Sequence, residues 1–361
     1  MSSTTSVTDA AGVPASKNRH PTDAFANMAT TRRRGLGVAL LLVLLTGLAF
    51  ISVAVGTRDI GIPTTWQAIT SFDAANSEHL LVRHQRIPRA LLSVLVGLYL
   101  GVAGAVMQAL TRNPLAEPGI LGVNSGAALA IATGISFLGI TDVYGYMWLG
   151  LVGAAAAGVA VFFLGGVRRG LNPVRLVLSG AALSVVLGAL TQLVLINSLD
   201  NVFDRYRHWM IGSLAGRGYE VLLPVGLLGG AGLIMALGLA HALDSAMLGE
   251  DLSRSLGGNP MRIWLLAGIT VIVLAGAATA AAGPITFLGL AAPHLARMLA
   301  GANHRWVLPY SALLAAVLIV GADTLGRALP GTGEISVGIM VAILGGPFFV
   351  FLVRRRKIAQ L

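Results

Sequence analysis

Few residues in this chain could do chemistry, and most of them stand in two polar islands. One is "QALTRNPLAEPGILG", where Gln108, Arg112, Asn113, Pro114, Glu117 and Pro118 gather a carboxylate, a guanidinium, two amides and two prolines between long apolar runs. The other is "LDSAMLGEDLSRSLGGNP" at 243–260, which carries Asp244, Glu250, Asp251 and Arg254. Inside the apolar runs ionisable groups are sparse: Asp323 near one end of one run, His294 and Arg297 near one end of another. Such groups are functional candidates because they are costly there, and an ion or proton relay would place them near the middle of a run. These sit near the ends, which favours structural pairing.

Catalytic constellations do not emerge. The absence of cysteine removes disulfides, thiolate metal sites and cysteine nucleophiles together. Only Lys17 and Lys357 exist, and neither lies in a G-x-x-x-x-G-K-[ST] phosphate loop. Any ATP and Mg²⁺ would therefore be held by another polypeptide, and no cofactor or metal is expected on this one. "GVNSG" at 122–126 departs from the G-x-S-G of an intramembrane serine protease, and no H-E-x-x-H zinc motif occurs.

The elements that position these residues follow from composition. With 55% hydrophobic and 11% charged residues, and a mean hydropathy of +0.80, the chain belongs in a membrane. Its apolar runs are unbroken rather than alternating, so the spans are helices and not barrel strands. They fall near 35–56, 90–110, 119–139, 146–167, 176–197, 221–240, 262–282, 285–300, 307–326 and 335–353, giving an all-α polytopic protein of about ten helices. The net charge of +10 could suggest nucleic acid, but it clusters at span ends. With both termini in the cytoplasm, 17 of the 25 basic residues lie inside, as the positive-inside rule requires. The other eight, Arg58, Arg83, Arg86, Arg89, Arg205, Arg207, Arg217 and Arg327, fall outside and need a separate reason.

Residues 1–34 read as a disordered cytoplasmic tail, and 358–361 as a short closing one. "TTRRRGLGVALLLVLL" loosely resembles a signal sequence, but the run is long enough to span and lacks a small-x-small cleavage site. Gly97, Gly101 and Gly104 recur at the spacing that lets helices approach closely. The junction at 108–122 reads equally as an ordinary turn or as a broken helix with a transport role, since broken helices at membrane depth need protein around them. "NPLAEPGILG" (113–122) and "GPITFLGLAAP" (283–293) echo one another weakly.

The stretch at 243–260 is patterned as two short helices. Asp244 or Ser245 can cap the first, Gly249 interrupts it, and the second ends at Gly257-Gly258-Asn259-Pro260. Leu248, Leu252 and Leu256 make an apolar stripe, with Glu250 and Arg254 spaced to pair. Segments that lie on lipid usually carry Lys and Arg. Arg254 stands alone against three acids, so a protein partner fits better than a lipid surface.

Together, "RIPRALLSVLVGLYLGVAGAVMQALTRNPLAEPGILGVNSGAALA" (86–130), "LGEDLSRSLGGN" (248–259), "AGPITFLGLAAPHLARMLAGANHRWVLP" (282–309) and "EISVGIMVAILGGPFFVFLVRRR" (334–356) resemble the FecCD family, the permeases of ABC importers for iron-siderophores, haem and vitamin B12. The resemblance implies a fold like the vitamin B12 importer permease, a ten-helix domain over 35–357 that pairs with itself or a paralogue. It also implies two cytoplasmic ATPase subunits and an extracytoplasmic binding protein. Residues 243–258 match the family's coupling helices, with Asp244, Leu248, Gly249, Glu250, Asp251, Leu252, Arg254, Leu256 and Gly257 facing the ATPase. Arg86, Arg89 and, by a looser match, Arg327 correspond to docking residues for the binding protein. Gln192, Asn197 and Ser198 are pathway candidates by position. An ion-coupled carrier and a membrane enzyme are the competing readings.

Overall fold

The computed structural model describes residues 21–166, 172–247, 249–255, 257–329 and 333–354, and among these no strand occurs. The helices are α1 Pro21–Ala54, α2 Ile62–Thr70, α3 Ser77–Leu81, α4 Ile87–Thr111, α5 Val123–Leu138, α6 Val143–Leu164, α7 Pro173–Ile196, α8 Asp200–Met210, α9 Tyr219–Gly238, α10 Ala240–Met247, α11 Glu250–Ser255, α12 Pro260–Ala282, α13 Leu288–Ala300, α14 His304–Ala328 and α15 Val337–Arg354. A π turn, Val82–Arg86, joins α3 to α4, and a 3₁₀ turn, Pro118–Leu121, precedes α5.

Local signals set the boundaries. Asn172 and Asn259 each cap a helix that opens on proline, and their side chains accept from the backbone N–H groups of Val174 and Arg262. Proline at the first helical position loses no bond there, and its fixed φ suits the helix. Pro88 lies inside a continuous run, Ser77–Thr111, and the wide π turn immediately before it makes room for a ring that would strike the preceding turn. α1 begins at Pro21, inside the segment expected as a disordered tail. Extending an existing helix needs no new nucleus, and Ala, Met and Arg favour it.

Among the described residues, seven helical runs are long and apolar enough to cross a membrane. They include α4, whose 25 residues rise about 37 Å. The three other expected spans, α5, α13 and α15, are not among these seven. α5 is apolar but has only 16 residues, α15 runs 18 residues, near the lower limit for a span, and α13, with 13 residues, rises only about 20 Å.

The core is built on α4, α12 and α14. The spanning windows of α12 and of the run containing α4 are 78% buried and that of α14 is 72%, against 17% for α1 and α7. The glycine spacing explains the depth. A Cβ on Gly97 would overlap the backbone of Ala316, one on Gly101 the carbonyl of Ser311, and one on Gly104 the carbonyl of Gly289. Small residues here let α4 lie backbone to backbone against α13 and α14.

Candidate functional site

Polar chemistry collects at the two ends of the antiparallel pair α4 and α14. At one end Asp323, fully buried on α14, is held by two arginines: Arg89 at 2.8 Å and Arg327 at 3.0 Å. Arg89 also reaches Glu334 at 2.6 Å, and Arg327 donates to the Ser52 hydroxyl at 2.7 Å. Arg86 donates to the carbonyls of Val53, Ala54 and Arg58, where the chain leaves α1. Asp323 is thus a structural pair, as its position near a span end suggested.

The three arginines expected to dock a partner are not a row of free surface cations. Arg86, Arg89 and Arg327 are all buried. Two are committed to carboxylates, because a guanidinium withdrawn from water must be paired to persist. They do line a small external cavity with Gly56, Arg58, Gly216 and Glu334. Among the described residues Arg86 hydrogen-bonds only carbonyl oxygens, so no hydrogen-bonded carboxylate there cancels its charge.

At the opposite end the junction 108–122 folds back onto α13. Gln108 is fully buried; its amide nitrogen faces the carbonyls of Gly289 and Leu290, and its oxygen accepts from Arg297. Arg112 ends α4 with φ 49°, a left-handed conformation, and its Nε donates to the Ala246 carbonyl on α10 at 3.1 Å. Asn113 turns the chain through its side chain to the N–H of Leu115, and Pro114 follows within that turn. Pro118 starts the 3₁₀ turn, and a Cβ on Gly289 would strike its ring. Burial pushes the Glu117 carboxyl up, partly offset by the backbone N–H of Phe287. The two echoing segments therefore meet in space, and the junction joins α4 to α13 and α10.

The two short helices form as expected, broken at Gly249 with φ 108° and stopped at Gly257 with φ 80°. Asp244 does not cap its own helix. It lies within α10 and accepts from both the backbone N–H of His304, at 3.0 Å, and the His304 ring at 2.6 Å, which ties α10 to the start of α14. Burial raises the Asp244 carboxyl, but these hydrogen bonds outweigh it and hold the group below its usual value. The predicted apolar stripe and the Glu250–Arg254 pair rest on Leu248 and Leu256, and on the side chains of Glu250, Asp251 and Leu252, which lie outside the described part of the structure.

Of the pathway candidates, Asn197 and Ser198 line a cavity of about 420 Å³ with Ser136, Phe137 and Val202, and Ser198 bonds Ser136 at 2.7 Å. Gln192 is exposed on α7 and is not part of that lining. Sequence reasoning missed Glu334, Ser52 and His304, each the partner of a residue it had singled out. It also missed α8, whose eleven polar-leaning residues stand beside this cavity. Its only signal was the cluster Arg205, Arg207 and His208.

Over 325 residues the chain is 40% identical to the ferric enterobactin transport system permease protein FepD of Escherichia coli, covering 89% of this chain and 94% of that one. It is 37% identical over 326 residues to the hemin transport system permease protein HmuU of Yersinia pestis, covering 89% and 96%. A solved metal-chelate type ABC transporter in an inward-facing conformation matches with a TM-score of 0.77 and 29% identity, covering 89% of this chain and 99% of that one. The FecCD transport family matches residues 41–355, the whole bundle from within α1 to the end of α15, and the chain belongs to that family.

Proposed function

We propose that this chain is the transmembrane permease subunit of an ABC importer that carries a ferric-siderophore chelate into the cytoplasm. The observation that carries the reading is similarity over nine-tenths of the chain to permeases named for ferric enterobactin and hemin. Haem is the alternative cargo, on the strength of the second relative, and cobalamin follows from the family resemblance alone. In this reading ATP and Mg²⁺ belong to two separate ATPase subunits, which the missing phosphate loop in this chain supports. A second permease copy or paralogue completes the pathway, and an extracytoplasmic binding protein delivers cargo. The chain sits in the cell membrane with both termini in the cytoplasm.

In this mechanism the ATPases grip α10–α11, through Leu248, Gly249, Glu250, Asp251, Leu252, Arg254, Leu256 and Gly257. Asp244 and Arg112 anchor the grip from behind, Asp244 to α14 and Arg112 from the end of α4 to α10. Movement at α11 then reaches two of the three deepest helices through α10. At the other end Arg86 meets an acidic side chain of the binding protein, and opposite-charge docking speeds encounter more than it deepens affinity. Arg89 and Arg327 shape that surface from below. Cargo passes beside Asn197 and Ser198.

Uptake by inverted and right-side-out vesicles tests this. Vanadate should abolish ATP-driven uptake, and a strain lacking the gene should lose growth on one defined ferric siderophore as iron source. Uptake that survives vanadate and follows a proton gradient overturns the reading in favour of an ion-coupled carrier.

A further inference from the structure

Beside the arginine cluster lies a second cavity, of about 580 Å³, walled by α8, the start of α6 and the loop from Ser213 to Arg217. It touches Arg205, His208, Trp209, Tyr146, Arg217 and Asp204. Its chemistry is one-sided. Arg217 is 7% exposed, yet its guanidinium makes no hydrogen bond or ion pair among the described residues. The Tyr146 hydroxyl and the Trp209 indole N–H, in the same wall, are also buried without partners. Among the described residues Arg205 holds only a long contact to the Thr141 carbonyl, at 3.5 Å.

Two acids are near, and neither neutralises Arg217 directly. Asp204 is paired with Arg207 at 3.0 Å. Glu220 is exposed and accepts from the backbone N–H of Gly218, so it acts on Arg217 only as a charge at a distance. Burial accordingly pulls the Arg217 guanidinium down to about 10. A buried cation persists when something compensates it, and here the Arg217 Nε, the Tyr146 hydroxyl and the Trp209 indole N–H, on three elements around one cavity, have no hydrogen-bond partner among the described residues.

We propose that this cavity is an anion subsite for the cargo, which favours ferric chelates with negatively charged catecholate or carboxylate oxygens over uncharged ones. The volume falls in the range of small-ligand pockets, about 300–1,000 Å³, and far exceeds what one acidic side chain needs. The planar fork of Arg217 suits paired oxygens. α8 walls this cavity through Asn201, Asp204 and His208, and walls the pathway cavity through Val202. An anionic chelate held here sits one helix away from the route past Asn197 and Ser198.

The inference rests on the importer reading, and the test separates the two. The full-length permease in nanodiscs is titrated with a ferric tricatecholate, which is negative, and a ferric trihydroxamate, which is neutral. Wild type should prefer the tricatecholate; in Arg217→Gln that preference should fall about tenfold, mostly through the anionic ligand, while Arg217→Lys retains part of it. Thermal unfolding without ligand should show Arg217→Gln at least as stable as wild type, since it loses an unpaired charge. A preference unchanged in Arg217→Gln overturns the subsite. So does an unchanged preference accompanied by lost binding-protein docking, which assigns the cavity to an acidic side chain. If wild type binds neither chelate, the siderophore reading itself fails. Haem against its dimethyl ester then decides the subsite by the same criterion, and equal binding of the two, or of neither, overturns it.

Discussion

Arg327 and Arg217 are both buried, and both line cavities on the same face of the bundle. Arg327 shares Asp323 with Arg89 and also donates to Ser52, so its charge is spent inside the fold. Arg217 has no such partner among the described residues. Equal burial thus conceals opposite roles: one guanidinium fastens α14 to α1 and shares the carboxylate that Arg89 holds from α4, whereas the other lines a cavity without a hydrogen-bonded partner among the described residues. What distinguishes them is whether the polar count around each closes, not how exposed each is.

The comparison breaks first at its saturated side. Asp323→Asn leaves Arg89 and Arg327 facing each other with their shared carboxylate gone, and removing one partner of a buried ionic group costs about 3–5 kcal/mol. Unfolding of the purified permease, followed by heat or denaturant, should show a loss of that order, with Arg217→Gln unchanged or slightly more stable beside it. Equal loss in both variants would erase the distinction. The same experiment makes docking tests cleaner: reversing Arg89 to Glu disrupts the staple whatever its role in docking, so Arg86→Gln is the informative substitution.

Much of this arrangement was legible in the sequence. Gly97, Gly101 and Gly104 announced the close approach of α4, because small residues three to four apart have few other uses in an apolar run. Asn172-Pro173 and Asn259-Pro260 marked helix starts by local chemistry alone. The two polar islands stood out because they interrupt so apolar a chain. Partners were another matter. Asp244 looked like a cap for its own helix, and its actual contact, His304, lies sixty residues away. Arg86, Arg89 and Arg327 showed their charge but not their burial, since an arginine at a span end reads the same whether it faces water or a carboxylate. Arg217 stood out only as one of eight basic residues on the outer side; its lack of a partner was not legible, because an orphaned donor is defined only by what fails to surround it.

Asp244 offers a smaller and pH-dependent test at the opposite face. Its carboxylate takes two hydrogen bonds from His304, and its folded pKa lies below the ordinary value. A carboxylate depressed on folding contributes stability above its unfolded pKa, near 3.9, and that contribution fades as pH falls through the lower folded value. Asp244→Asn keeps an acceptor but loses the charge, which costs about 1 kcal/mol at neutral pH. The gap between variant and wild type should close below about pH 4. A gap that persists in acid means the contact is steric. In the assembled transporter the same variant should lower transport more than ATP hydrolysis, because it loosens α10 from α14.

The weakest effect should come from Arg207, which pairs with Asp204 on α8 at 3.0 Å with both side chains more than half exposed. Solvent screens such pairs, so Arg207→Gln should alter stability by less than about 0.5 kcal/mol. Its effect on the cavity is more telling. Without Arg207 the Asp204 carboxylate stands uncompensated on the wall opposite Arg217, and preference for a ferric tricatecholate should drop by no more than about twofold at low salt. At high salt the drop should vanish, whereas the Arg217→Gln effect, arising from a buried charge, should survive. A strong salt dependence of the Arg217 effect would place its charge among the screened surface cations, and the contrast with Arg327 would then reduce to one of position.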